Sequence, residues 1–158
     1  MKTPNRFFPA RRRGFTLVEI MIVVVIIGLL ASLAAQSFIQ SRRKTIAVRV
    51  ANDLRVFAGA FEQYVFEEGA WPADVQPGQT PAGMADYLML NRWTNPTPAG
   101  GNYDWDNEVF GVTAAVSVAD PNVPADTLAE IDRILDDGNT STGRVRLRAD
   151  GIMFILEP

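Results

Sequence analysis

Residues 11–35 read RRRGFTLVEIMIVVVIIGLLASLAA, and every later inference starts from this stretch. From Phe15 to Ala35 only Thr16, Glu19 and Ser32 are polar. About 20 residues rising 1.5 Å each cross roughly 30 Å of hydrocarbon. Length and composition therefore predict a membrane-spanning helix over 15–37. No proline interrupts it, and only Gly28 weakens its helical propensity. In front of it, residues 1–14 form a leader carrying Lys2, Arg6, Arg11, Arg12 and Arg13 and no acid. Basic flanks stay cytoplasmic, so Met1 is expected inside and the bulk of the chain outside. Arg42, Arg43 and Lys44 follow the span and oppose that rule. The leader carries more charge and lies tight against the apolar run, which keeps the orientation.

Glu19 is the discordant residue. A carboxylate at mid-helix costs about 2.5–3.5 kcal/mol on insertion scales and less near the interface, so it calls for a partner. A cut between Gly14 and Phe15 would remove the leader and create one, the α-ammonium of Phe15, placed to neutralise Glu19 of an adjacent copy.

The helix is expected to continue over 38–70 in amphipathic form. Ile46, Val50, Leu54, Phe57, Phe61 and Tyr64 recur every three or four residues, the period of one helix face. The upper part of this stripe is expected to pack within the chain and the lower part to contact neighbouring subunits. Gly69 and Pro72 mark the stop. Residues 71–101, rich in Pro and Gly, form an irregular connector with a short helical turn near Met84–Leu90. Residues 102–158 form the head. Strands are expected at Asn102–Asp106 and Val109–Val118, with a short helix near 125–137. A hairpin is expected with Arg144–Ala149 and Ile152–Leu156 flanking Asp150-Gly151. The fold class is α+β: a long N-terminal helix packed on a small antiparallel sheet of four strands.

The run Gly14-Phe15-Thr16-Leu17-Val18-Glu19 resembles the processing site of type IV prepilins and of type II secretion pseudopilins. The resemblance implies cleavage after Gly14 by a prepilin peptidase and N-methylation of Phe15. It also implies assembly through Glu19, Thr16 and Gly28, the last falling where such helices carry a glycine that can loosen. The end of the helix, YVFEEGAWP at 64–72, is similar to the pseudopilin pattern in which an aromatic-rich helix closes at Gly-x-aromatic-Pro. Many pilins carry a proline where this chain has Gln36, and pilus subunits often close their C-terminal region with a disulfide. Without Cys the chain can form none, and both departures lean toward a pseudopilin. The implied partners are further copies and related subunits, the peptidase, an inner-membrane assembly platform and membrane lipid.

Composition narrows the alternatives. The chain has neither His nor Cys, which removes Ser-His and Cys-His nucleophiles and nearly all zinc sites. From Val56 onward there are sixteen acidic and five basic side chains, a net of −11, a balance that repels nucleic acid. Asp104, Asp106 and Glu108 gather oxygen donors near one strand and are candidate ligands for calcium, which some major pseudopilins hold in this part of the fold. The plainer reading is a solvated acidic face, opposite an alternating row of Arg144, Arg146 and Arg148. The reading is a non-enzymatic filament subunit, of the type II secretion pseudopilus first and of a type IV pilus second. A competence-type pseudopilin in DNA uptake, or a periplasmic binding protein with a signal peptide cut near Ser32-Leu33-Ala34 or a plain membrane anchor, stands behind these.

Overall fold

The computed structural model describes residues 14–158; the rest of the leader lies outside the described residues. The chain forms two compact units, one ending at Ile39 and the other spanning Gln40–Pro158. Helix α1 runs over Leu17–Glu68 and contributes to both.

In the first unit no side chain from Leu17 to Ile39 is buried by the chain itself. In the second unit α1 carries the predicted stripe. Val50, Leu54, Phe57 and Phe61 are fully buried, joined by Ala47, Ala51 and Ala58, and Ile46 and Tyr64 pack at the margin. The lower end of the stripe is thus as much core as the upper end, contrary to the expectation that it faces neighbours. The alanines share one core cluster with the aromatics of the helix and of the sheet.

Gly69 ends α1 in the left-handed region (φ 81°), donating its N–H to Val65 O at 2.9 Å. The connector is short on regular structure, with a 3₁₀ turn at Met84–Asp86 and helix α2 at Leu90–Trp93. It is pinned by side chains instead. Trp105 donates from Nε1 to Pro72 O (2.9 Å) and stacks on Phe61 at 3.9 Å between ring centroids. Trp93 donates from Nε1 to Gln79 O at 2.7 Å.

The sheet has four antiparallel strands in the order β1-β2-β4-β3: β1 Asn102–Asn107, β2 Ala114–Ala119, β3 Val145–Arg148 and β4 Gly151–Glu157. Its inner face presents Tyr103, Trp105, Val116, Val118, Ile152, Phe154 and Val145 to the core. Helix α3, Ala125–Leu135, adds Ile131, with Leu128, Ile134 and Leu135 beside it.

Three details depart from expectation. The second strand starts at Ala114 rather than Val109, because Glu108, Phe110 and Gly111 all take positive φ and turn the chain back. The β-branched residues there suggested a strand; Val112 instead packs with Ala115, Met153 and Ile155 on the outer face of the sheet. The last hairpin turns on Ala149-Asp150, with Gly151 already in β4 opposite Arg148. A Cβ at Gly151 would meet Val118 O at 1.9 Å, so this glycine serves strand approach rather than the turn.

Candidate functional site

At the start of α1, Thr16 and Glu19 hold each other. Glu19 Oε2 accepts the Thr16 N–H (2.8 Å) and the Thr16 hydroxyl (2.9 Å), while Glu19 N–H donates to Thr16 Oγ1 (3.2 Å). This is the reciprocal capping box of Thr-x-x-Glu at a helix N-terminus. It answers part of the burden of a carboxylate in an apolar helix before any second subunit is present. Phe15 is 82% exposed beside it. Nothing lies within 4 Å of a Cβ built on Gly14 or on Gly28. The chain's own packing demands neither glycine, so any requirement for them is imposed from outside the fold. α1 passes through Gly28 without a break.

The head holds a second cluster, on the outer face of the sheet. Arg148, its side chain 1% exposed, places Nη1 at 2.8 Å from Asp104 Oδ2 and 2.5 Å from Asp106 Oδ1. Its Nε lies 2.6 Å from Asp150 Oδ1, and its guanidinium sits over Phe110 at 4.5 Å. Arg148 belongs to the strand at the opposite edge from β1, so it reaches across two strands. They let it pass because Gly151, Ala119 and Ser117 are small there. The Ser117 hydroxyl donates to Asp106.

Burial pushes the Asp104 carboxyl up to about 6 despite the Arg148 hydrogen bond, with Asp106 adding repulsion. Burial raises Asp106 likewise, opposed by Ser117 and Arg148. Asp104 and Asp106 are therefore buried rather than solvated, and of the arginine row only Arg148 pairs with them. Arg146 is exposed and donates to Gly143 O, and Arg144 donates to Ile155 O. Of the three candidate calcium ligands, Asp104 and Asp106 come together on Arg148, whose guanidinium supplies the positive charge. Glu108 lies in the turn after β1 and does not line the 490 Å³ cavity over this cluster.

The family described as the prokaryotic N-terminal methylation motif matches residues 9–35. Over 66 residues the chain is 39% identical to type II secretion system core protein G of Klebsiella pneumoniae, covering 42% of this chain and 47% of that protein. A longer match, 30% over 129 residues, is to the type IV major pilin protein PilA of Myxococcus xanthus, covering 74% of this chain and 58% of that one. The structure of the major type IV pilin PilA1 from Clostridium difficile aligns with a TM-score of 0.53 at 14% identity, over 73% of this chain and 97% of that one. That last likeness speaks to the fold.

The chain carries the prokaryotic N-terminal methylation motif on a type IV pilin fold.

This pilin-like chain spans about half the length of the curated relatives it matches. Two of its polar devices escape a reading by motif. The Thr16–Glu19 box carries the Thr-x-x-Glu pattern before an apolar run, but a carboxylate in an apolar helix reads first as a group awaiting an intermolecular partner. Asp53 was not legible. It interrupts the apolar face of α1, yet is only 5% exposed, held by the Tyr103 hydroxyl (2.7 Å) and by Arg92 (3.0 Å, an ion pair). Burial and the Asp53 bond in turn push the Tyr103 hydroxyl well above its ordinary range.

Proposed function

We propose that this pilin-like chain is a structural, non-enzymatic subunit of a filament, of the type II secretion pseudopilus kind. In this reading it is stored in the cytoplasmic membrane with its N-terminus inside and its head outside. A prepilin peptidase cuts it after Gly14, Phe15 is N-methylated, and an inner-membrane platform feeds it into the filament. Apolar helices from many copies then bundle. The observation that carries this is the run Leu17–Ile39, apolar and wholly exposed, which needs lipid or copies of itself to cover it. Glu19 is capped through Oε2, and its carboxylate still carries the charge that the Phe15 ammonium of a neighbour would meet.

Mass spectrometry of the mature N-terminus tests the reading. The expected product starts at methylated Phe15; a start at Ala35 would end it in favour of a signal peptide. Gly14→Leu should block the cut without altering the fold of the head, because the position is open within the chain. A type IV pilus remains the second reading, favoured by the match to PilA, which covers more of this chain than that to protein G of Klebsiella pneumoniae. Filament assembly in a strain carrying only a secretion platform or only a pilus platform separates the two.

A further inference from the structure

The cavity over Arg148 holds more acid than one guanidinium answers. Asp74, Asp104, Asp106, Asp120 and Asp150 all line it, against the single cation of Arg148. That cation is spent: its ion pairs run to Asp104 Oδ2, Asp106 Oδ1 and Asp150 Oδ1, and reach neither Asp74 nor Asp120. Asp104 is 4% exposed, yet its Oδ1 accepts no hydrogen bond among the described residues. A buried carboxylate oxygen without a donor is costly, and the cavity beside it is where a donor can enter. Burial, with the charges of Asp106 and Asp74, holds the Asp104 carboxyl up at about 6 even with Arg148 bonded to it. The site has room for a second positive charge.

The shape of the space says which kind. It measures about 490 Å³, far more than a bare ion fills, and Val75, Pro77 and Val109 give it apolar wall beside the acids. A compact divalent ion needs several oxygens converging at about 2.0–2.6 Å. Here the converging oxygens are already gathered on Arg148. A long basic side chain suits both kinds of wall, because its methylenes cover apolar surface while its charged end meets carboxylate. Guanidinium is the better end: it is weakly hydrated, and its planar fork gives several donors in fixed directions. We propose that this cavity binds the arginine side chain of another protein, its guanidinium donating to Asp104 Oδ1 while Asp120 adds charge at the exposed rim. The cavity lies on the face of the sheet turned away from α1, so filling it does not compete with packing along that helix.

The test is an NMR titration of the full chain in detergent with a capped glycyl-arginyl-glycine peptide, followed through the backbone amides. Saturable shifts should be confined to the cavity, in β1 and in the turn from Arg148 to Gly151. The same peptide carrying citrulline, which keeps the shape and loses the charge, should bind at least tenfold more weakly. Asp104→Asn should weaken binding of the arginine peptide at least tenfold. Asp120→Asn should weaken it at least threefold with no change in melting temperature, since the position is exposed and asparagine accepts its left-handed backbone (φ 50°). Asp86→Asn, an exposed acid that does not line the cavity, should bind like the wild type. Binding should strengthen between about pH 5 and pH 7 as Asp104 loses its proton. Burial raises Asp106 in the same direction, and Asp74, Asp120, Asp150 and Arg148 are the other charged groups facing the site. Absence of saturable shifts overturns the proposal, as does binding that neither Asp104→Asn nor Asp120→Asn weakens. Equal binding of a lysine peptide overturns it too, leaving charge attraction alone. Calcium chloride producing the same shifts and excluding the peptide would make the cavity a metal site instead. The same shifts on raising the protein concentration alone, lost in Asp120→Asn, would seat a second copy there and overturn the assignment to another protein.

Discussion

The two units of this chain solve the problem of apolar surface in opposite ways. From Gln40 onward, the chain buries its own: Phe57, Phe61, Trp93, Tyr103 and Trp105 are all at most 1% exposed. From Leu17 to Ile39 it buries none, and Ile20 to Ile39 are left bare along the helix. The same helical periodicity that gives α1 a stripe in its second half is missing in its first, where apolar residues go all round. A one-sided stripe is satisfied by one partner layer; an all-round surface needs lipid or a bundle. Stability should therefore be a property of the head, and assembly a property of the bare helix.

Substitutions in matched pairs test that division. Trp105→Ala removes a ring stacked on Phe61 and the hydrogen bond to Pro72, and should destabilise the head by about 3–5 kcal/mol in denaturant unfolding. Leu29→Ala, also a large apolar truncation, should leave that unfolding unchanged and lower filament yield. A comparable loss of head stability from Leu29→Ala would erase the distinction. Arg148→Met strips the cation from buried Asp104 and Asp106, and should cost the head roughly 3 kcal/mol or more, by the same measurement.

Glu19 sits on the other side of the divide and separates its two roles. Glu19→Ala loses both the cap, about 1 kcal/mol of local helix stability, and the charge. Glu19→Gln retains the box and loses only the charge. Cleavage should proceed in both, and filament yield should fall in both. Normal yield from Glu19→Gln would show that capping, not pairing with Phe15, is what assembly requires.

A last effect concerns pH. The Asp104 carboxyl is raised from 3.8 to about 6 in the fold. Its contribution is fully present below the unfolded value and fades as pH rises through about 6. Asp104→Asn should therefore show a smaller drop in melting temperature between about pH 4 and pH 7 than the wild type does. An equal drop would place the pH response elsewhere.

The apolar patterns were legible because they depend on one element at a time. The stripe from Ile46 to Tyr64, the face of α3 and the strand pair closing on Gly151 follow from local periods of 3.6 and 2. Asp104, Asp106 and Arg148 share one buried cluster only because Arg148 crosses a trough of small residues, Gly151, Ala119 and Ser117, supplied by two other strands. No local period encodes that. Asp132 on α3 is likewise buried without any local period marking it.

The sheet order has one further consequence. β4 follows the other strands in the chain, yet lies between β2 and β3. During synthesis the β1–β2 hairpin can form early, while β3 must wait with no neighbour until β4 arrives. The head is thus a lock whose last pin to enter is the central one. A chain interrupted before residue 151 has two strands on one side, one on the other and nothing joining them. Such a product stays open to proteases, so only a finished polypeptide presents a closed head to its neighbours.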